Sequence, residues 1–219
     1  MSAKLWAEIG LGIYETFYMT LASTLLGYVI GLPLGVILII TRRDGIRQNL
    51  AVNQVLGVIV NIMRSIPFLI LMIAIIPFTR FVMGKSYGST ATIVPLTMAA
   101  FPFISRMVES SLAEVDGGVI EAAQAMGATP MQIIHKVYIP EATPSLISGA
   151  AIVATNILGY SAMAGSVGGG GLGAIAINYG YYRFNAEVMV VCIAIMVVLV
   201  QAMQLVGTRL SVQLDHRLR

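Results

Sequence analysis

Charge is scarce in this sequence. Only 11% of its 219 residues are Asp, Glu, Lys or Arg while 58% are apolar, whereas an ordinary soluble domain is roughly one-quarter charged. The bilayer is the expected solvent, and the chain is better counted in spans than in soluble domains. Cysteine is nearly absent: Cys192 stands alone, which excludes an intrachain disulfide or a thiolate zinc cluster and leaves a small apolar filler. The two histidines, His135 and His216, fall outside the apolar runs, so no nucleophile–base pair can be assembled within the membrane. No catalytic residue and no metal site is expected. The net charge of +3 is scattered, with no basic stripe to grip a phosphate backbone, which excludes nucleic acid. No Gly-x-x-x-x-Gly-Lys-Ser/Thr loop is present to cradle nucleotide phosphates. No Asp or Glu sits at the centre of an apolar run, which weighs against the alternative of an ion-coupled carrier or channel. Lys4, Glu8 and Glu15 precede a long apolar run with no small-residue cleavage site close behind it, so no cleaved signal peptide is expected.

What the sequence has in abundance is apolar length. A span needs about 20 apolar residues to cross the hydrocarbon core, and five segments qualify: about 16–40, 55–78 (interrupted by Arg64-Ser65-Ile66-Pro67), 91–108, 146–164 and 188–206. They predict an all-α integral membrane protein in one transmembrane domain over 16–208. Residues 1–15 form a short outer segment and 209–219 a short tail. With the N-terminus outside, the inner segments hold Arg42, Arg43, Arg47, Arg106, Lys136, Arg209, Arg217 and Arg219, against Lys4, Arg80, Lys85 and Arg183 outside. Cytoplasmic loops carry the excess of Lys and Arg, so the N-terminus is expected outside and the C-terminus in the cytoplasm. Gly27, Gly31 and Gly35 fall on one face of the first span. Such a seam serves close packing within the chain or a contact between copies, and packing within the chain is the expected use. Pro33 in the same span predicts a local bend.

Between the third and fourth spans, residues 116–140 read as two short helices. One covers Gly118–Met126 and is followed by Gly127, where a left-handed cap residue is wanted. Thr129, Pro130 and Gln132 then form a capping box, and Pro140 is expected to end the second helix near Val137. Val119, Ala122, Ala123 and Met126 share an apolar face. A rigid elbow of this kind suits docking onto a cytoplasmic partner. An interfacial hairpin on lipid head groups would carry a polar face rich in Lys and Arg, and none precedes Lys136.

These residues carry a resemblance. Glu121-Ala122-Ala123, three residues, Gly127, nine residues, then Val137-Tyr138-Ile139-Pro140 resembles the EAA loop of binding-protein-dependent ABC importer permeases, Glu-Ala-Ala, three residues, Gly, nine residues, Ile-x-Leu-Pro. Val137 and Ile139 depart from that pattern while keeping apolar bulk. Asn61-Ile62-Met63-Arg64-Ser65-Ile66-Pro67-Phe68, Ile93-Val94-Pro95-Leu96-Thr97, Gly127-Ala128-Thr129-Pro130-Met131-Gln132 and Gly159-Tyr160-Ser161-Ala162-Met163 resemble the methionine importer permeases. The resemblance implies a five-span type I ABC importer permease with a cytoplasmic coupling-helix elbow, in the inner membrane, working on D- and L-methionine. It implies a homodimer, two ATP-binding cassette subunits that bind ATP and Mg so that this chain needs no cofactor, and an extracytoplasmic methionine-binding lipoprotein. Carried over by position, Glu121 makes the polar contact with the ATPase, Ala122 and Ala123 allow close approach, Gly127 sets the corner and Pro140 closes the motif.

Polar residues inside a span face protein or a water-filled cavity, which makes the fourth span, with Asn156, Tyr160 and Ser161, the candidate pathway lining. Asn156 fits a pathway or a hydrogen bond between helices equally well. Met163, just before the glycine-rich stretch, is the expected gate, since a thioether can fill a symmetric constriction and still move aside. Arg64, the one cation inside a span, is expected to bond carbonyls freed by Pro67, with a substrate carboxylate as the alternative. Arg106 and Glu109 are spaced to pair. Gly168, Gly170 and Gly173 match Gly-x-Gly-x-x-Gly, but a membrane helix rather than a strand precedes them. A dinucleotide site is therefore rejected in favour of a flexible, tightly turning outer loop.

Overall fold

A computed structural model of the chain describes residues 3–214. The described residues are helical almost throughout. Helix α1 runs over Ala3–Thr41, α2 over Leu50–Ser65, α3 over Phe68–Ala74, α4 over Ile76–Met83 and α5 over Ser89–Ala113. Helix α6 covers Gly117–Ala125, α7 Pro130–Ile133, α8 Ile139–Ala164, α9 Gly171–Ile175 and α10 Ala186–Leu214. Four helical stretches are long and apolar enough to cross a membrane, and α2 with α3 makes a fifth if that bent pair counts as one span.

The structure adds detail to three of the expected segments. The stretch expected as a short outer segment is helical from Ala3 onward and continuous with the first span, because no proline or helix-ending turn separates the two. Even Pro33 is carried inside it. The second expected span is broken, its two parts meeting at 100°. Pro67 lacks the N–H that would bond the Met63 carbonyl, and it drives Ile66 to extended geometry (φ −81, ψ 121). The tail expected over 209–219 is helical to Leu214, and its remainder, with His216, Arg217 and Arg219, lies outside the described residues.

The glycine seam explains how the two central helices meet. A Cβ on Gly31 would stand 2.8 Å from the Phe101 carbonyl and from Ile104, and one on Gly27 would stand 2.9 Å from Ala100. All three seam glycines face α5 of the same chain. Around this axis Met19, Leu96, Ala100, Ile104, Val108, Val153 and Ile157 form the main core. A smaller cluster of Ile9, Leu172, Ala176, Val188 and Cys192 ties α9 and α10 to the start of α1, and Cys192 is buried there as the expected filler. By contrast, α2 buries only Val60 and leaves Val55, Ile59 and Ile62 exposed.

The glycine-rich stretch is not a loose outer loop. Gly168, Gly170 and Gly171 hold positive φ (83, 81 and 73), and Gly173 packs against the Ala162 backbone too closely to admit a side chain. The Gly171 N–H donates to the Glu15 carboxylate (2.7 Å), the Leu172 N–H to Thr16 Oγ1 (2.9 Å) and the Gly88 N–H to the Gly168 carbonyl (2.8 Å). A hairpin results that folds α9 back against α8 and is clamped by α1.

Candidate functional site: a coupling corner joined to a pathway helix

The corner forms as the residues dictate. Asp116 Oδ1 caps α6 by accepting from the Gly118 N–H (2.7 Å). The helix ends at Gly127 in left-handed geometry (φ +79). The Ala128 N–H donates to the Ala123 carbonyl (3.1 Å) and the Gly127 N–H to the Gln124 carbonyl (2.9 Å), the bond pair of a Schellman end. The capping box then starts α7: the Thr129 N–H donates to Gln132 Oε1 (2.8 Å), and the Gln132 N–H to Thr129 Oγ1 (3.4 Å).

Pro140 does not end this second helix. Residues Ile134–Tyr138 widen into a π-helical turn, in which the Ile139 N–H reaches the Ile134 carbonyl, and Pro140 enters the first turn of α8. A wider turn accommodates the ring and the missing donor that would break an α-helix. The helical path therefore continues from Pro130 to Val167, and the corner is built on the same rod as the candidate pathway.

Burial divides the corner in two. Ala123, Ile133, Ile134 and Tyr138 belong to the main core, with Ile39, Val108 and Leu112 at the ends of α1 and α5. Facing outward are Val119, Glu121, Ala122, Met126 (83% exposed) and Met131 (63% exposed). The expected apolar face is thus split, with Ala123 turned into its own bundle and Val119, Ala122 and Met126 left exposed. Met131, which motif reasoning did not single out, extends that apolar tip; its position right after the Pro130 start of a capped helix was the available signal.

On α8 the structure separates the expected pathway residues. Ile152, Asn156, Gly159 and Met163 lie along one exposed stripe at helical spacing, and Met163 is half exposed. Ser161 is only 1% exposed, and its hydroxyl donates to the Leu158 carbonyl (2.7 Å). It faces the interior of its own bundle, so it does not line this stripe. Tyr160 lies beside the stripe, stacked on Phe68 of α3 with ring centroids 4.8 Å apart and planes 7° from parallel. Sequence reasoning missed this stack because it depends on the fold of α3 after Pro67. Arg106 and Glu109 pair at 2.6 Å, as expected, and Arg106 also donates to the Gly57 carbonyl (3.1 Å). Arg64 departs from expectation: among the described residues it bonds none of the carbonyls freed by Pro67, and its guanidinium carbon lies 5.8 Å from the Phe103 ring centroid. Among the described residues no cluster of His, Cys, Asp or Glu could hold a metal ion.

Comparison with known proteins bears directly on this arrangement. The family described as binding-protein-dependent transport system inner membrane component matches residues 19–219. The probable D-methionine transport system permease protein MetI of Vibrio cholerae is 50% identical over 204 residues, 93% of this chain and 91% of that protein. The D-methionine transport system permease protein MetI of Escherichia coli K12 is 53% identical over 154 residues, 70% of this chain and 71% of that one. A chain from a structure of inward facing conformations of the MetNI methionine ABC transporter superposes with a TM-score of 0.97 at 48% identity, covering 99% of this chain and all of that one. With the EAA-type corner, the helical membrane fold and this match over nearly its full length, the chain belongs to the family of binding-protein-dependent transport system inner membrane components, the permease subunits of ABC transporters.

Proposed function

We propose that the chain pairs with a second copy of itself to form the translocation pathway of an ATP-driven importer for D- and L-methionine. Two separate ATP-binding cassette subunits dock on its exposed corners and hydrolyse ATP, and an extracytoplasmic methionine-binding lipoprotein delivers the substrate. The N-terminus lies outside and the C-terminus in the cytoplasm of the inner membrane.

One observation carries this reading: the corner and the pathway stripe share an unbroken helical path from Pro130 to Val167. At 1.5 Å per residue, Pro130 and Met163 stand about 50 Å apart along that path. A push on Val119, Ala122, Met126 and Met131 is opposed by the core beneath Ala123 and Ile133. The corner therefore moves as a body with α8 instead of deforming. Glu121, exposed at the tip, supplies the polar contact, and Gly127 holds the angle. At the other end Met163 closes the symmetric opening between two copies, while Asn156 and Tyr160 line the approach to it. The names carried by relatives about half identical to this chain support methionine as the solute. An ion-driven carrier is less well supported, since Glu15 is committed to the Gly171 N–H and Glu109 to Arg106.

The test is uptake of labelled methionine into vesicles holding the permease, its ATPase and its binding protein. Uptake is expected to require ATP and the ATPase. Met163→Ala is expected to let methionine leak down its gradient several-fold faster without ATP. Uptake that persists with no ATPase present would refute the importer reading, and an unchanged leak would remove Met163 from the gate.

A further inference from the structure

Two adjoining cavities open where α2 breaks. The first, about 240 Å³, is lined by Met63, Arg64, Phe68, Leu71, Phe103 and Tyr160, among others. The second, about 370 Å³, shares Arg64 and Phe103 with the first and adds Arg106, Ser110, Glu114, Ser145 and Ser148, among others. Phe103 lies near the middle of α5, and Tyr160 is one helical turn from Met163. The first cavity therefore lies beside the proposed gate, between α3, α5 and α8.

The chemistry of its walls is specific. Arg64 brings a guanidinium to a break within an apolar span, where an isolated cation is costly. Among the described residues no carboxylate pairs with it, whereas Arg106 is already committed to Glu109 and the Gly57 carbonyl. A guanidinium in such a place is suited to a carboxylate, which it can hold through paired N–H donors. Beside it α2 ends, and the carbonyls of a last helical turn carry partial negative charge. The Met63 carbonyl in particular has no N–H to reach at Pro67. Opposite them the Phe68–Tyr160 stack and Leu71 present an apolar wall, and sulfur favours contact with aromatic rings. The volume lies below the roughly 300–1,000 Å³ typical of drug-sized ligand pockets, in keeping with one small solute.

The geometry points to a binding site for a single free amino acid with an unbranched apolar side chain. Its carboxylate sits on Arg64, its ammonium group at the C-terminal carbonyls of α2, and its side chain along Phe68 and Tyr160. This rests on the proposed transport function and specifies where the solute pauses. Arg64 and Phe103 border both cavities, and the second also carries the acidic Glu114, which opposes a ligand carboxylate, so the carboxylate stays on Arg64 beside the aromatic chamber.

The test uses the purified permease–ATPase complex and a diazirine analogue of methionine. After irradiation, the label is located in permease peptides by mass spectrometry. It is expected within residues 61–72 or at Tyr160, with methionine competing at least about tenfold better than methioninamide, which lacks the carboxylate; a hydrogen bond to a charged group supports a difference of that order. Arg64→Met should lower labelling by a similar factor and erase the preference for methionine over its amide. Phe68→Leu should lower labelling while keeping that preference. Label found only elsewhere in the chain, or equal competition by methionine and its amide in the wild type, would overturn the assignment even if the Arg64 variant failed to assemble. Undiminished labelling in an assembled Arg64→Met complex would do the same. Loss of ATP-dependent uptake by the wild type would remove the importer reading and this site with it, whereas intact uptake with label elsewhere removes the site alone.

Discussion

Replacing Gly127 with valine is expected to cut ATP-driven methionine uptake by more than about tenfold while the bundle remains folded. Gly127 holds φ +79, and a Cβ built there meets nothing within 4 Å. Its requirement is therefore conformational and not steric. A left-handed residue costs an ordinary L-amino acid about 1–2 kcal/mol, and a β-branched one is a genuine outlier there. The strained chain would give up the bonds from Ala128 to Ala123 and from Gly127 to Gln124, and the angle between α6 and α7 would change. The ATPase would then meet a misdirected tip, so ATP hydrolysis continues with little transport. Asparagine tolerates left-handed geometry, so Gly127→Asn should keep uptake within about twofold of wild type. Parallel measurement of uptake and ATP turnover in vesicles, with gel filtration to check assembly, decides the matter. Equal uptake by the valine and asparagine variants would show that the corner angle does not matter.

The second large effect concerns stability. Gly35→Val would set a Cβ 2.6 Å from both the Ser105 carbonyl and the Val108 Cβ, and neither α1 nor α5 can yield without parting from the other. Overpacking of this sort costs about 1–3 kcal/mol or more, which for a chain of this size lowers the melting temperature by about 2–12 °C. Gly10 serves as the control, since it lies in the same helix with nothing within 4 Å of its Cβ. Helix propensity alone makes valine slightly better than glycine at both positions. A loss at position 35 but not at 10, followed by thermal unfolding in detergent, therefore isolates the close approach of α5. Similar melting temperatures for the two variants would contradict the seam.

Much of this was legible because the signals are local. The capping box at Thr129, the left-handed turn at Gly127 and the spacing of Gly27, Gly31 and Gly35 are each dictated within a few residues. What stayed hidden depended on distant or competing terms. Pro140 looked like a terminator, but the widened turn at Ile134–Tyr138 accommodates it, an outcome propensity does not foresee. The interruption at Arg64–Pro67 was visible, but not the 100° angle between α2 and α3, which depends on how α3 packs. Gly168–Gly173 read as a flexible loop because its partners Glu15 and Thr16 lie far away in sequence, with the Gly171 and Leu172 bonds spanning 156 residues. Ser161 and Asn156 were indistinguishable as polar residues in a span. Only the packing of α8 turns one inward, to the Leu158 carbonyl, and leaves the other on the open stripe.

Force passing from the corner along α8 to Met163 is most directly tested by the distance between the two Met163 positions of the paired permease. Spin labels on Met163→Cys, in a Cys192→Ala background, report that separation by pulsed electron resonance in the assembled complex. Binding of a non-hydrolysable ATP analogue should lengthen the separation when Gly127 is intact and leave it unchanged in Gly127→Val. The same lengthening in the valine variant, or in a permease pair lacking its ATPase, would contradict the account.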